Sequence, residues 1–420
     1  VAGSVLVGLL AGCGDEPSSF EASQAKASGL HSPASAEEVE DGAPIVRGVA
    51  TSLYGPIVEA AGDGNVAYSP SSIATALGMA RAGAEGESAA QLDAFFGADG
   101  DGGLHRALNA ADATLRRLSG PERNADGEDV RVDLTTANAL WGQSGTTWKD
   151  PFLDELLTSY DAAMWMADYR NDADRARSDI NRWIAERTDD RIPELLQGDA
   201  VNADTRMVLT NAVRFAAPWD DELDELGGMT FTRPDGSTVE ADAIGDTRTM
   251  GFQEGDGWVA VTLPYAGGDV AMTLLVPDEG QLATVEAALD AELLEQVLLG
   301  GEEEPVDLRF PRFDLDQRAP LRDALESLGV TAPFEQGTED FAPMTDDEQL
   351  FVADVVHQAT VTVDEEGTEA AAATAVTFET VGGTITEQVV LVDRPFLFVV
   401  HDVESAIPVF LGRVTDPTVP

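Results

Sequence analysis

Side chains able to run covalent chemistry are scarce in this sequence. Its four histidines, His31, His105, His357 and His401, are scattered over 420 residues. No G-x-S-x-G turn and no H-E-x-x-H helix sets a nucleophile, a base or a metal ligand beside any of them. The lone cysteine, Cys13, excludes both a zinc site built from cysteines and a disulfide within one chain. There is no glycine-rich phosphate loop, and the acidic loops at residues 97–103 and 124–129 lack the downstream glutamate of a calcium loop. A Ser-His-Asp triad is assembled by geometry and leaves no spacing signature, but nothing in the sequence points to one. No catalytic residue, metal or cofactor is expected. The chemistry left is that of a substrate: a peptide bond and the segment that presents it.

That segment is residues 361–381, VTVDEEGTEAAAATAVTFETV. It reads as a strand, an acidic turn at Asp364, Glu365, Glu366 and Gly367, and then a run from Ala370 to Phe378 with no charge and no proline. A period of two puts Thr368, Ala370, Ala372, Thr374, Val376 and Phe378 on one face. Glu369, Ala371, Ala373, Ala375 and Thr377 take the other. A strand with no charge on its inward face and an N–H on every residue suits the inside of a sheet. Composition alone fits a helix or a low-complexity linker equally well, because alanine is the best helix former.

The neighbours favour the strand. The stretch VTVDEEGTEAA followed by small residues resembles the reactive-loop hinge of the serpins, here Glu365, Glu366, Gly367, Thr368, Glu369, Ala370, Ala371, Ala372 and Ala373. Residues 394–398 (RPFLF) and 410–417 (FLGRVTDP) resemble the family's carboxy-terminal signature. Other motifs follow in order. Residues 65–77 resemble the segment carrying two shutter serines, Ser69 and Ser72. Residues 205–219 resemble a central strand with a shutter asparagine, Asn211, and a tryptophan at the sheet top, Trp219. Residues 351–360 resemble the segment of the shutter histidine, His357. Read without the family, these are helix-start serines, a strand polar residue, a core aromatic and a histidine at the edge of the core. The resemblance covers residues 45–417.

It implies an α+β serpin fold: a large central mixed β-sheet, smaller sheets, about eight or nine helices and an exposed reactive loop. It also implies a suicide-substrate inhibitor of serine proteases, not an enzyme, that traps the acyl-enzyme when the cleaved loop enters the central sheet. The alternative is a non-inhibitory serpin acting as a binding or structural protein. Small, uncharged Thr368, Ala370 and Ala372 favour inhibition. Counting about seventeen residues from Glu365 puts the scissile bond at Val381–Gly382. Counting back from Pro395 moves it toward Thr384, and Thr380 and Phe378 are alternatives. Val381 suits an elastase-like protease; Phe378 would suit a chymotrypsin-like one. At the breach, Glu365 is expected to face Arg312 with Trp219 close by.

Helical spacing appears at residues 45–61, 83–96, 152–160, 178–187, 281–299 and 319–328, and strand patterns at 130–141, 205–219, 259–264, 270–276 and 306–313. The net charge is −52, and lysine occurs only at Lys26 and Lys149. With no basic stripe, neither nucleic acid nor a heparin-type polyanion is an expected partner. Leu10-Ala11-Gly12-Cys13, after a short apolar run, matches the bacterial lipobox, whose thiol is lipidated. Residues 1–13 therefore read as a lipoprotein signal peptide, 14–44 as a disordered tether rich in Ser, Ala, Glu, Gly and Pro, and 45–420 as the serpin domain. The expected protein is an exported monomer, lipid-anchored through Cys13 to the bacterial cell envelope or surface.

Overall fold

The computed structural model describes residues 36–98, 100–198, 200–368 and 388–420, together with Gln24 and Ser32. In chain order the first part runs α1 (Ala36–Ala61), β1 (Val66–Tyr68), α2 (Pro70–Ala82), α3 (Gly86–Phe96), α4 (Asp101–Arg117), β2 (Gly120–Arg123), β3 (Asp129–Thr136), β4 (Ala139–Gln143), α5 (Asp150–Tyr160), β5 (Met164–Ala167) and α6 (Tyr169–Arg187). A strand-rich middle follows: β6 (Met207–Pro218), β7 (Asp224–Thr232), β8 (Thr238–Gly255), β9 (Trp258–Pro264) and β10 (Val270–Pro277). The last part holds α7 (Leu282–Ala288), α8 (Ala291–Leu299), β11 (Glu302–Pro311), β12 (Phe313–Pro320), α9 (Leu321–Ser327), β13 (Val355–Val363), β14 (Gly367–Thr368), β15 (Gln388–Leu391), β16 (Phe396–Asp402) and β17 (Pro408–Val414).

Local signals explain three of the helix starts. Ser69 caps α2, accepting from the Ser72 N–H, and Pro70 fits the first turn, where no intrahelical donor is needed. Asp168 and Asp290 cap α6 and α8 in the same way. The Asp290 cap also divides the helix expected over 281–299 into α7 and α8. The helix expected from residue 319 starts only at Leu321, because Ala319 and Pro320 still pair in the sheet.

The tether was expected to extend to residue 44, but α1 begins at Ala36 and carries Pro44 and Pro56 inside it. Packing outweighs the prolines: a Cβ on Gly42 would lie 2.3 Å from the Ala107 carbonyl oxygen, so α1 sits directly against α4. Within the same expected tether, Gln24 forms an isolated antiparallel bridge with Trp165, and the Ser32 N–H donates to the Thr158 carbonyl at 3.2 Å.

Two sheets form the body. The central one has eight strands among the described residues, in the order β12-β13-β14-β6-β3-β2, with β4 on β6 and β5 on β4. It is mixed: β13 runs parallel to β6, and β3 antiparallel to it. The second sheet has nine strands among the described residues, in the order β1-β17-β16-β10-β9-β8-β11-β15 with β7 on β8. The strand expected over 130–141 is two strands, β3 and β4. Both pair with β6, and the chain breaks between them at Ala137 and Asn138. α2 lies buried along residues 70–81.

Candidate functional site

The central sheet holds a fork. At its closed end β13 and β6 pair directly, Val355–Ala359 against Leu209–Val213. At its open end they part, and β14 fills the gap, pairing antiparallel with both. Thr368 sits opposite Val363 on one side and Ala217 on the other. Gly367 pairs with Pro218 at φ +154°, where an added Cβ would lie 2.2 Å from the Ala217 carbonyl oxygen; only glycine permits this approach. Thr368 is 1 % exposed, and its hydroxyl lies 2.6 Å from the Tyr265 hydroxyl.

The turn before β14 is tied to the sheet top. The indole N–H of Trp219 donates to the Asp364 carbonyl at 2.9 Å, its backbone N–H to the Glu366 carbonyl at 3.0 Å, and the Leu223 N–H to the Glu365 carbonyl at 2.9 Å. Trp219 stacks on Tyr265, ring centroids 4.4 Å apart. The Asp364 carboxylate accepts from the N–H groups of Glu366 and Gly367. Arg312 lies between Glu365 at 2.5 Å and Glu225 at 2.7 Å. The Glu365 contact is an ion pair without hydrogen-bond alignment. Burial raises the Glu365 pKa, whereas hydrogen bonding from Arg312 holds Glu225 below its ordinary value. Glu225 is largely exposed, so the pair is screened and contributes little by itself.

The four residues expected at the shutter meet beneath the closed end. His357 and Asn211 are opposite each other in the β13–β6 register. The imidazole Nδ1 bonds the Asn211 side-chain oxygen, and Nε2 accepts from the Ser69 N–H at 3.0 Å. The Asn211 amide donates to the Ser72 hydroxyl at 2.6 Å. A fifth member was missed in the sequence. Asn138 accepts from both the Ser72 hydroxyl at 2.7 Å and the Asn211 amide at 2.9 Å. Tyr265 at the open end was missed as well. His357 is bonded to an amide and a backbone N–H, which is a positioning set and not a nucleophile–base pair. Of the remaining expected sites, Glu369, Ala370, Ala371, Ala372, Ala373, Val381, Gly382 and Cys13 lie outside the described residues.

An inserting strand would have to part the His357–Asn211 rung, so the fork has an occupied mouth and a latched base. The family model for Serpin (serine protease inhibitor) matches residues 45–417. The chain is a serpin. Its relatives include an uncharacterized serpin-like protein of Thermococcus kodakarensis, 32 % identical over 89 % of this chain and 86 % of that one. Serpin B8 of Bos taurus is 33 % identical over 84 % and 93 %. Leukocyte elastase inhibitor A of Rattus norvegicus is 28 % identical over 88 % and 97 %. The serpin fold recurs in the native state of the thermophilic serpin tengpin, with TM-score 0.80, 23 % identity and coverage of 94 % of this chain and 99 % of that one.

Two serpin histidines give a pH prediction. Burial lowers the pKa of His357 to about 3 and that of His401 to about 4, from an ordinary value near 6.5. The unfolded chain therefore binds more protons below pH 6.5. The stability these neutral histidines contribute is complete above pH 6.5 and is lost as pH falls toward 4 and 3. At pH 5 each loses about 2 kcal/mol relative to pH 7. Thermal unfolding followed from pH 7 to 5 should fall in midpoint for the wild type, and less steeply for His401→Gln. Parallel curves would show that His401 is not part of the dependence.

Proposed function

We propose that this serpin is a suicide-substrate inhibitor of serine proteases with an elastase-like preference. The observation that carries the reading is the hinge start in the fork: Thr368, small and uncharged, already occupies the first rung between β13 and β6. The protease serine oxygen attacks the Val381 carbonyl carbon. The Gly382 nitrogen leaves as an amine, taking its proton from the protease histidine, and Val381 stays esterified to the protease. The freed strand then zips downward from Thr368, antiparallel to both neighbours. About fourteen residues at roughly 3.3 Å each carry the ester some ~45 Å. Distortion of the protease at the end of that path outpaces hydrolysis. The inhibitor supplies bait and stored strain but no catalytic group. The elastase preference rests on Val381 and on relatives named as leukocyte elastase inhibitors.

The test is incubation with an elastase-like serine protease. A covalent complex that survives denaturant should form at close to one-to-one stoichiometry, releasing a fragment whose mass places its first residue at Gly382. Cleavage without a complex would favour a non-inhibitory serpin. A fragment starting elsewhere would remove the Val381 assignment. We further propose a lipid anchor at Cys13 that holds the inhibitor at the cell envelope. Cys13→Ser should then move the protein from the membrane to the soluble fraction, and a wild type already soluble and unlipidated would refute the anchor.

A further inference from the structure

A cavity of about 590 Å³ opens beside the rungs Val355–Leu209 and Val356–Thr210, where the pairing of β13 with β6 begins. That is the size of a small-molecule site. Its floor is apolar and buried: Ile57 of α1, Val66 of β1, Leu321 of α9 and Val355 of β13. Its rim is charged and exposed: Arg318 near the end of β12, Asp323 in α9 and Asp354 just before β13. None of these three forms an ion pair among the described residues. The Arg318 guanidinium donates to the Leu195 carbonyl, and the Asp354 carboxylate accepts from the Val355 N–H at 2.8 Å. Arg322, also on the rim, is already taken by Glu326 and by the Ala353 carbonyl. The cavity lies on a seam. The four floor residues belong to the main core, whereas Leu195 and Val356 belong to the separate apolar cluster that holds Trp183 and Val208. Leu195 sits in the connection from α6 to β6 and goes with β6. Arg318 and Asp354 go with β12 and β13, so the Arg318–Leu195 bond crosses the seam.

We propose that this cavity binds a small zwitterion with an apolar side chain, a free branched or aromatic amino acid, and that the occupant holds the seam shut. Charge selects the class. A cation and two carboxylates, none with a salt partner, stand around an apolar floor. A plain carboxylate ligand meets Asp323 and Asp354 as like charges, and a plain amine meets Arg318 as one. A zwitterion answers both: its carboxylate goes to Arg318, its ammonium to Asp354 and Asp323, and its side chain covers the floor. Ala60 and Ala61 in the last turn of α1 also line the cavity, and the negative end of a helix dipole favours the ammonium. The ligand touches groups on both sides of the seam. It loses contacts when β13 parts from β6, so it favours the closed sheet by that difference in affinity. The regulatory half of the proposal rests on the inhibitory reading above; the binding half does not.

The probe is leucine, titrated calorimetrically into the full chain, with glycine, isocaproate and isoamylamine as partial analogues. A ligand of this size should bind with a Kd of about 1 mM. Each analogue lacks the side chain or one charge and should bind at least about tenfold more weakly. Arg318→Gln, and separately Asp323→Asn/Asp354→Asn, should weaken leucine about tenfold. All three positions are exposed, and an unchanged unfolding midpoint without ligand confirms intact folding. No saturable binding below about 20 mM, roughly twenty times the expected Kd, overturns the site. Binding that both variants keep in full overturns its location, and isocaproate or isoamylamine binding as tightly as leucine overturns the zwitterion. The second arm adds an elastase-like protease. At about 20 mM leucine, mass action on the closed sheet slows insertion by up to about twentyfold, so complexes formed per loop cut should fall about threefold or more. Arg318→Gln should show a smaller fall. An unchanged ratio in the wild type overturns the regulation. A wild type that is cut without trapping sinks the inhibitory reading and the regulation with it, whereas the titration still decides the site.

Discussion

Thr368→Arg is cleaved by the target protease at the same bond as wild type and no longer forms a denaturant-resistant complex. This is the expected result because Thr368 is buried between Val363 and Ala217 with its hydroxyl on Tyr265, over a face sealed by the Tyr265–Trp219 stack. No carboxylate is among these neighbours. An arginine there is an unpaired buried charge costing several kcal/mol, so β14 leaves the fork and the first step of insertion becomes uphill. Each ~1.4 kcal/mol on the insertion barrier slows it about tenfold. Deacylation is unaffected, and the partition swings from trapping to turnover. Glu369→Arg is the control, since strand alternation gives that residue the opposite face, and it should still inhibit. If Thr368→Arg traps as well as wild type, insertion is not the inhibitory step.

Asn138→Ala should have the next largest effect. Its side-chain oxygen is the acceptor for two groups, the Ser72 hydroxyl and the Asn211 amide. Ser72 and Asn211 are both fully buried. A buried donor left without an acceptor costs about 1–3 kcal/mol, giving a loss of roughly 2–6 kcal/mol for the two and, for a domain of this size, a drop in unfolding midpoint of roughly 3–7 °C. Under the proposed insertion mechanism Asn211 is also half of the rung to be parted, so inhibitory activity at 37 °C should decay faster than in wild type. A double-mutant cycle with Ser72→Ala checks the cause: the two losses should be clearly less than additive. Additive losses would mean that Asn138 acts through something other than this network.

Asn138 also shows where sequence reading stops. VRVDLTTANALW alternates like one strand, and both halves do pair with β6, so the pattern hides the break that turns Asn138 under the sheet. A polar residue beside a small one in mid-strand was the available signal. The hinge turn was legible through its resemblance to the serpin hinge, and the structure gives its residues their physical reasons: a positive φ at Gly367, Asp364 accepting from the following N–H groups, and Arg312 beside Glu365. Tyr265 was not, because a tyrosine ending a hairpin strand looks the same whether or not a hydroxyl waits opposite it. The early start of α1 was hidden by Pro44, whose local effect is overridden by the close approach of Gly42 to α4. Long-range packing decided the misses at Asn138, Tyr265 and α1, whereas a local cap at Asp290 split the helix expected over residues 281–299.

The second sheet pairs β1, at residues 66–68, with β17, at residues 408–414. Both flank a core filled by Phe396, Phe398, Phe410 and Leu411. On a ribosome adding about 5–20 residues per second, β1 waits roughly 20–70 s for its partner to be made. The second sheet cannot close until the roughly 340 residues between these two strands have been made. That delay leaves the core-forming faces of β1 and β16 unpaired in the nascent chain, and loss of β17 would strand both without the neighbour that joins them.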